Sequence, residues 1–253
     1  MELLAEGRMA EVYAYGEHRV VKLDRPEWSG VSQFESDVLR KLAEAGLPVA
    51  RSHGTVTIDG RCGMVLDRVE GASLFAALLD GTVEAARAAA ERFSALQLAI
   101  NATVVDGIPD LVERLGVELT QSPLNPTLRH DLASRLAALD DRRRGVCHFD
   151  FHPNNVLVAG DEWVVIDWLT VASGPPGADL ARTLLIWGQW VDSPIVEFMT
   201  AVRRTSLAVL GIEDTTCDDW IRVLAGARLV EGFDRDYADW LTSVARGEVT
   251  LFS

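Results

Sequence analysis

Short apolar runs separated by turn residues dominate the first seventy residues of the chain, and this pattern predicts β-strands. Gly16 and Glu17 separate the first two runs, which predicts a tight hairpin. Asp59 and Gly60 join the last two runs and form a dipeptide that favours a hairpin turn. The predicted strands cover residues 12–15, 20–23, 52–58 and 62–66.

Between the two hairpins the apolar residues recur at helical spacing instead. The apolar stripe consists of Phe34, Val38, Leu39 and Leu42. Ser32 and Glu35 form an S-x-x-E sequence, which predicts a capping box at the start of this helix. Gly46 and Pro48 follow the stripe and predict the end of the helix.

Beyond Gly71 the pattern changes to long amphipathic segments, which predict a mainly helical region. The predicted helices cover residues 83–100, 127–141, 178–191, 194–210, 217–230 and 234–246. A short strand-rich island at residues 146–170 interrupts these helices. The sequence therefore predicts an α+β chain with a small β-rich lobe at 1–70, a hinge near 67–71 and a larger helical lobe at 71–253.

Composition and charge narrow the class of protein. The 253 residues suffice for two lobes, and no apolar run reaches the roughly 18 residues that a membrane span needs. The net charge of −14 disfavours binding to nucleic acid or to anionic membrane surfaces. Cys62, Cys147 and Cys217 lack the paired spacing of a metal or redox site, and the first residues lack the pattern of a secretory signal. These features predict a cytoplasmic protein with reduced thiols.

The strongest chemical signal is the sequence CHFDFHPNNVLV at residues 147–158, followed by VVIDW at residues 164–168. Phosphoryl transfer requires a group that orients the attacking hydroxyl and a magnesium ion that neutralises phosphate charge. Asp150 and Asn155 lie on a loop that leads into a predicted strand, and Asp167 lies at the end of the next strand. A hairpin would bring Asp167 beside Asn155, so that both face one magnesium ion while Asp150 faces the hydroxyl.

The spacing H-x-D-x-x-x-x-N followed by I-D resembles the catalytic and metal-binding loops of the kinase superfamily. The His-Pro pair after the first Asp resembles the small-molecule branch, the aminoglycoside phosphotransferase and choline kinase group. This resemblance implies a bilobal protein-kinase-like fold, in which Asp150 is the catalytic base and Asn155 and Asp167 are metal ligands. It also implies that His148 and His152 support the loop structurally.

The same resemblance assigns nucleotide binding to the first lobe. The sequence GRMAEVY, which begins at Gly7, is similar to the phosphate-covering loop, and Val12 would pack over the adenine. Lys22 ends a predicted strand inside an apolar run, where a lysine is unusual unless its ammonium group meets an anion. It resembles the strand lysine that holds the α- and β-phosphates. Glu35 matches its helix partner by position, with Asp37 as the alternative.

The segment MVLDRVEG at residues 64–71 resembles the hinge of the family. Leu66 would lie behind the adenine, and the backbone groups of Asp67 and Val69 would hydrogen-bond the base. Farther along the chain, PPGADLART resembles the family's continuation, in which Asp179 would cap the start of a helix.

These residues predict transfer of the γ-phosphoryl group of ATP or GTP, with Mg²⁺, to a hydroxyl group of a small molecule. The resemblance implies an aminoglycoside or another antibiotic as acceptor, with choline, ethanolamine or a sugar-like metabolite as alternatives. An atypical protein kinase is disfavoured because the sequence lacks an A-P-E string. A pseudokinase is disfavoured because Lys22, Asp150 and Asp167 are all present.

The distribution of charge favours a cationic acceptor. Residues 1–70 carry a net charge of −3, whereas residues 71–253 carry −11. Two acidic clusters in the helical lobe are candidate sites for an amine-rich sugar, with a solvated surface as the alternative. The first cluster is Asp110, Glu113 and Glu118, and the second is Glu231, Asp234, Asp236 and Asp239.

Overall fold

The computed structural model of the chain describes residues 1–79, 81–190 and 193–252. The described residues divide into two compact units. The first contains Met1–Ala76 and Pro153–Thr170, and the second contains Ala77–His152 and Val171–Ser253. Residues 153–170 thus group with the first unit, whereas the boundary near 67–71 would assign them to the helical lobe.

The elements are numbered in chain order. The strands are β1 Leu3–Glu6, β2 Ala10–Ala14, β3 Arg19–Asp24, β4 Ser52–Ile58, β5 Arg61–Asp67, β6 Ala72–Ser73, β7 Gly145–Cys147, β8 Val156–Ala159, β9 Glu162–Val165 and β10 Ala172–Gly174. The helices are α1 Val31–Glu44, α2 Leu74–Leu79, α3 Val83–Asn101, α4 Leu111–Gln121, α5 Pro126–Leu139, α6 Pro176–Ile186, α7 Ser193–Leu210, α8 Asp214–Arg228 and α9 Arg235–Arg246.

An antiparallel sheet is the main feature of the first unit. Its strands stand in the order β1-β2-β3-β5-β4. Neighbouring strands are consecutive in sequence except for β3 and β5, which pair with each other although β4 lies between them in the chain. Val21, Leu23 and Val65 form its buried centre. Asp59 and Gly60 both adopt positive φ in the turn between β4 and β5, as a two-residue hairpin turn requires.

Helix α1 lies in the same unit, and its N-terminus is capped from outside the helix. The Asp24 carboxylate, at the end of β3, accepts hydrogen bonds from the backbone N–H groups of Gly30 (2.8 Å) and Ser32 (3.3 Å). It also accepts a hydrogen bond from the Ser32 hydroxyl. The predicted capping box of Ser32 and Glu35 is therefore wrong, because Gly30 is the N-cap residue and Asp24 supplies the acceptor.

Residues 153–170 belong to the first unit because they form a small sheet with its residues. In this sheet β8 lies between β6 and β9 and pairs antiparallel with both. Val165 also forms a bridge with Val49. A Cβ atom at Gly71 would overlap the Val158 carbonyl, so the close approach of the chain to β8 requires glycine. Backbone pairing between distant parts of the sequence thus decides the grouping.

The second unit packs its helices around large apolar side chains. The Phe93 ring of α3 lies 4.4 Å from the Phe151 ring of the loop after β7 and 5.2 Å from the Phe198 ring of α7, measured between centroids. Strands β7 and β10 pair antiparallel within this unit. A Cβ atom at Gly145 would overlap the Asn101 carbonyl at the end of α3. Strand β7 is therefore fixed directly against the end of α3.

The sequence did not predict α2 or α4. Asp110 caps α4 by accepting a hydrogen bond from the backbone of its first turn (3.0 Å). The buried face of α4 consists of Leu111, Leu115 and Leu119. Gly116 in its interior lowers helix propensity and hides this spacing. The helix predicted at 178–191 ends at Ile186, and Val191 lies outside the described residues.

The predicted α+β class is confirmed. The N-terminal part of the chain is built on β-sheet, and the C-terminal part consists mainly of helices. In the described part of the chain, no helix has both the length and the apolar character that crossing a lipid bilayer demands.

Candidate active site

The loop after β7 is held in place by the buried carboxylate of Asp179 in α6. One Asp179 oxygen accepts a hydrogen bond from the Phe149 backbone N–H (2.7 Å), and the other accepts from the side chains of Gln97 (3.1 Å) and Asn101 (2.9 Å). Phe149 has a φ of 64°, a conformation that a non-glycine residue keeps only when its surroundings enforce it. Asp179 therefore braces the loop that presents Asp150, and the prediction that it caps a helix start is wrong.

Asp150 is partly buried, and two histidines contact it. One carboxylate oxygen lies 3.6 Å from the His152 Nε2 atom. The Asp150 backbone N–H donates to the Nδ1 atom of the buried His148 (3.2 Å). Burial alone would raise the pKa of Asp150, but His152, His148 and Arg182 outweigh it and hold this pKa below its ordinary value. Asp150 is therefore ionised near neutral pH and can accept a hydrogen bond from a hydroxyl group.

The hairpin of β8 and β9 brings Asn155 and Asp167 to neighbouring positions. Val156 at the start of β8 is the register partner of Val165 at the end of β9. The Ile166 backbone N–H then donates to the Asn155 carbonyl oxygen (2.9 Å). Asn155 is buried, whereas the Asp167 side chain is exposed in part and its φ is 64°. The two predicted metal ligands thus flank the same end of one hairpin.

The oxygen donors at this end of the hairpin fit a magnesium ion. Asn155 offers an amide oxygen and Asp167 a carboxylate, and Mg²⁺ usually takes one or two protein carboxylates together with phosphate and water. Among the residues that the structure describes, no group of three or more His, Cys, Asp or Glu side chains is arranged to hold a metal ion. A magnesium ion held by Asn155 and Asp167 would also bind phosphate oxygens and water, as Mg²⁺ usually does.

Lys22 in β3 connects this hairpin to α1. Its ammonium group donates to the carboxylates of Glu35 (2.8 Å) and Asp167 (2.9 Å). The second Glu35 oxygen accepts a hydrogen bond from the Trp168 backbone N–H (3.0 Å). Burial alone would lower the pKa of Lys22, but the charges of Glu35 and Asp167 outweigh it and raise this pKa. Glu35, and not the alternative Asp37, is the helix residue that Lys22 contacts.

Gly7 and Val12 lie on the hairpin formed by β1 and β2. Gly7 begins the turn: its N–H donates to the Ala10 carbonyl (2.8 Å), and its own carbonyl accepts a hydrogen bond from the Arg25 Nε atom (3.0 Å). Val12 is half-buried and is the register partner of Lys22 in the neighbouring strand. The sheet therefore puts Val12 and Lys22 in one row.

The segment predicted as a hinge begins at the end of β5. Leu66 is half-buried near the end of this strand. The Asp67 backbone N–H donates to the Arg51 carbonyl (3.0 Å), and the Val69 carbonyl accepts a hydrogen bond from the Gly71 N–H (3.2 Å). These bonds use the N–H of Asp67 and one of the two acceptor positions of the Val69 carbonyl.

Three arginines lie beside the loop after β7, and the sequence did not predict this position for them. Arg182 in α6 donates from Nε to the Phe149 carbonyl (3.2 Å), and the Arg114 guanidinium of α4 lies 4.5 Å from the centre of the Phe149 ring. Arg228, at the end of α8, shares the Glu231 carboxylate with Arg182. The sequence gives little indication that these arginines lie together, because each is a single arginine on a different amphipathic helix.

The fold is similar to that of several solved kinases at low sequence identity. A thermostable mutant of aminoglycoside phosphotransferase APH(4)-Ia, in ternary complex with AMP-PNP and hygromycin B, has a TM-score of 0.68 and 18% identity, with 97% of this chain and 91% of that chain covered. The amicoumacin kinase hAmiN has a TM-score of 0.65 and 16% identity, covering 99% and 89% of the two chains. A choline/ethanolamine kinase family protein from Mesorhizobium loti has a TM-score of 0.61 and 18% identity, covering 98% and 87%.

Comparison of the sequence itself supports the same family. No match was found among curated protein sequences. A sequence model described as the phosphotransferase enzyme family, however, matches residues 1–240. Because this match extends over nearly the whole chain, the chain belongs to the phosphotransferase enzyme family and is a kinase.

Proposed function

We propose that the chain transfers the γ-phosphoryl group of ATP to a hydroxyl group of a small molecule. One observation carries this proposal, the contact of Lys22 with both Glu35 and Asp167. It joins a cation suited to phosphate with a carboxylate suited to a divalent metal. With an ionised Asp150 on a braced loop, the chain has the three kinds of group that phosphoryl transfer uses.

Lys22 is assigned to the α- and β-phosphates of the nucleotide. The Asp67 carbonyl and the Val69 N–H are assigned to the base. The Asp67 N–H and the Val69 carbonyl already form hydrogen bonds within the protein. The other nucleotide contacts are assigned to Gly7, Val12 and Leu66. Recognition through the main chain also allows GTP as the alternative donor. The reaction is proposed to take place in the cytoplasm, which supplies the nucleotide.

Magnesium is the proposed metal, and Asn155 and Asp167 are the residues that would hold it. When bound, it would neutralise the charge of the phosphates. The choice of magnesium follows from the donors, because amide and carboxylate oxygens are hard ligands. Lys22 lies 2.9 Å from Asp167, so the cation assigned to the phosphates and the proposed metal ligand are already adjacent.

Asp150 is proposed to orient the attacking hydroxyl and to accept its proton. The hydroxyl oxygen forms a bond to the γ-phosphorus, the bond from that phosphorus to the β–γ bridging oxygen breaks, and ADP leaves with the electron pair. A carboxylate with a lowered pKa is a weak base before the reaction, so orientation is its larger contribution. Asp150→Asn should lower turnover by about 10²–10⁴-fold while nucleotide binding persists.

An aminoglycoside-type antibiotic is the first candidate acceptor, because one of the similar solved kinases is an aminoglycoside phosphotransferase with hygromycin B. Choline or ethanolamine is the alternative that another similar structure suggests. Both are cationic and would need available carboxylates. Arginines already neutralise part of the predicted acidic clusters, since Asp110 lies 2.8 Å from Arg144 and Glu231 lies 3.0 Å from Arg182. These ion pairs weaken the case for a cationic acceptor.

A nucleotide-consumption screen tests the proposed function. The chain is incubated with Mg·ATP and a panel of aminoglycosides, choline, sugars and sugar acids, and the phosphorylated product is identified by ³¹P NMR. We expect ATP turnover that depends on one class of acceptor and is lost in Asp150→Asn. Turnover that no acceptor stimulates, or that Asp150→Asn leaves unchanged, contradicts the proposal.

A further inference from the structure

Charged side chains from three helices meet beside the catalytic loop. The arginine cluster consists of Arg114 and Glu118 of α4, Arg182 of α6, Arg228 of α8 and Glu231 just after α8. Glu231 lies 3.0 Å from an Arg182 nitrogen and 3.3 Å from the Arg228 Nε atom, so one carboxylate serves two guanidinium groups. Arg114 and Glu118 are paired more loosely, at 3.9 Å.

The arginine cluster is attached to the residue that precedes Asp150. The guanidinium groups of Arg114 and Arg182 lie 4.5 Å and 5.0 Å from the centre of the Phe149 ring. Arg182 also donates to the Phe149 carbonyl (3.2 Å), and its charge is one of the causes that lower the pKa of Asp150. A ligand bound to the cluster therefore lies close to the carboxylate assigned to the hydroxyl.

The arginine cluster has three guanidinium groups and two carboxylates, and Arg182 also interacts with the Asp150 carboxylate. Burial is the largest cause that lowers the pKa of Arg114, and the charge of Arg182 adds to it against the opposing charge of Glu118. Burial and the charge of Arg182 likewise lower the pKa of Arg228. Cations in such surroundings are stabilised by a further anion, because charge pairs interact more strongly where water is partly excluded.

The side chains of the arginine cluster are partly exposed to solvent. The Arg114 side chain is 26% exposed, Arg228 12% and Arg182 8%, and the side chains of Glu118 and Glu231 are 28% and 32% exposed. Arg228 also donates a hydrogen bond to the Tyr237 hydroxyl (2.9 Å). Arg228 lies over the rings of Phe233 (4.9 Å) and Tyr237 (5.5 Å), which extend the surface with aromatic faces. Arg182, the least exposed of the three, is therefore assigned as a positioning residue, and the ligand is assigned to Arg114 and Arg228.

We propose that the acceptor carries an anionic group, a carboxylate or a phosphate, that binds Arg114 and Arg228 while its hydroxyl group reaches Asp150. This inference rests on the proposed phosphotransferase function, and it replaces the cationic candidates named above with hydroxylated acids as the acceptor class. Guanidinium groups bind such anions through paired N–H donors of fixed geometry. A cationic acceptor would instead compete with arginines for Glu118 and Glu231 and leave partly buried cations uncompensated.

Acceptors that differ only in an acidic group test the inference. The matched pairs are glycerate with glycerol and gluconate with sorbitol, and kanamycin serves as the amine-rich comparison. We expect kcat/KM for each acid to exceed that of its neutral partner by about 10- to 100-fold, the range of hydrogen bonds to charged groups. Equal use of the acid and its neutral partner, or turnover of kanamycin alone, overturns the inference.

Single substitutions locate the effect. Arg114→Met and Arg228→Met should each raise the KM for the acid acceptor by about 10-fold or more, with little change in the KM for ATP. Arg228→Lys keeps the charge and should lose less. Arg235→Met is the matched control, because it removes the same charge from an exposed pair with Asp239 on α9. An equal loss in Arg235→Met would mean that general charge, and not the cluster, is responsible.

Thermal unfolding separates this inference from the proposed function without any turnover. At constant ionic strength, without nucleotide and at millimolar concentration, where excluded-solute effects are small, sodium malonate and sodium gluconate should raise the Tm of the wild-type chain, whereas sorbitol should not. The shift should disappear in Arg114→Met and persist in Arg235→Met. Absence of the shift in the wild type overturns the anionic acceptor. Absence of a shift with Mg·ATP would instead overturn the proposed function.

Discussion

Lysine is rare in this chain, which has 22 arginines and only two lysines, Lys22 and Lys41. Most of its ion pairs therefore use guanidinium groups, but β3 keeps an ammonium group at its centre. An ammonium is a compact point charge that can approach Glu35 and Asp167 together, whereas a guanidinium needs a planar partner in a fixed direction. The Lys22 ammonium nitrogen lies 2.8 Å from a Glu35 oxygen and 2.9 Å from an Asp167 oxygen, so it contacts both carboxylates. The choice of lysine at this position thus follows from its two neighbours.

The pair of Lys22 and Glu35 should behave as one unit in mutant kinetics. Lys22→Ala should remove most of kcat/KM, and Glu35→Gln should remove less because Asp167 still contacts the ammonium group. The double variant should lose little more than Lys22→Ala, with a coupling of about 0.5–3 kcal/mol. The free energies come from kcat/KM for ATP in a two-by-two cycle. Lys41→Ala is the control, and additive losses would show that Lys22 and Glu35 act independently.

At the scale of single elements, the β8–β9 hairpin brings the two proposed metal ligands to the same end of one structure. Asn155 and Asp167 stand twelve positions apart, and the hairpin returns the chain so that Ile166 bonds to Asn155. Both residues are therefore positioned by four paired residues in each strand.

Removal of the metal should stop the reaction. EDTA is expected to abolish turnover, and added Mg²⁺ should restore it, because the proposed ligands are oxygen donors. Asp167→Ala should abolish turnover at any magnesium concentration tested. Asp161→Ala is the matched control, since it removes an exposed carboxylate from the turn of the same hairpin. Full activity in EDTA would show that the assigned metal role is wrong.

Strand β7 should tolerate no side chain at its first residue. Gly145→Ala should destabilise the fold by about 1–3 kcal/mol or more, because its Cβ would overlap the Asn101 carbonyl. Gly116→Ala is the opposite control, since nothing lies within 4 Å of its Cβ in α4. It should stabilise the fold by about 0.5–1 kcal/mol through helix propensity. Urea unfolding measures both, and equal effects of the two changes would contradict the packing at β7.

The difference between local and distant contacts explains what the sequence could predict. The β8–β9 hairpin was predictable because its strands and its turn adjoin in the chain. The start of α1 was not, because its cap comes from Asp24 in β3. The role of Asp179 depends on Phe149, thirty positions away, and the arginine cluster joins three helices. Contacts between residues so far apart in the chain depend on tertiary packing, which residue spacing alone does not encode.

At the scale of the whole molecule, charge and site residues are distributed unevenly. Lys22, Asn155 and Asp167 belong to the first unit, and Asp150 belongs to the second together with the arginine cluster. The chain as a whole carries −14. A positive cluster on an acidic protein combines long-range repulsion of anions with local attraction, and salt screens the first more strongly than the second.

Salt should therefore act differently on acids and amines. For an anionic acceptor, KM should fall or stay level as ionic strength rises from about 0.01 M to 0.15 M, because the Debye length shrinks from about 30 Å to 8 Å and screens the repulsion. For a cationic acceptor, KM should rise over the same range. Initial rates at fixed Mg·ATP measure the trend. A steep rise of KM for an acid acceptor would contradict the expectation that salt screens the long-range repulsion more strongly than the local attraction by the arginine cluster.

The two carboxylates around Lys22 also decide how the chain responds to amine-reactive reagents. Acylating labels attack only the neutral form of an amine, and the raised pKa of Lys22 keeps it protonated. Lys41 on α1 is the other lysine of the chain, and it is partly exposed. Among the lysine side chains, a dye or a surface linker will therefore attach at Lys41. The chain offers a single lysine for immobilisation that leaves the proposed phosphate-binding group unmodified.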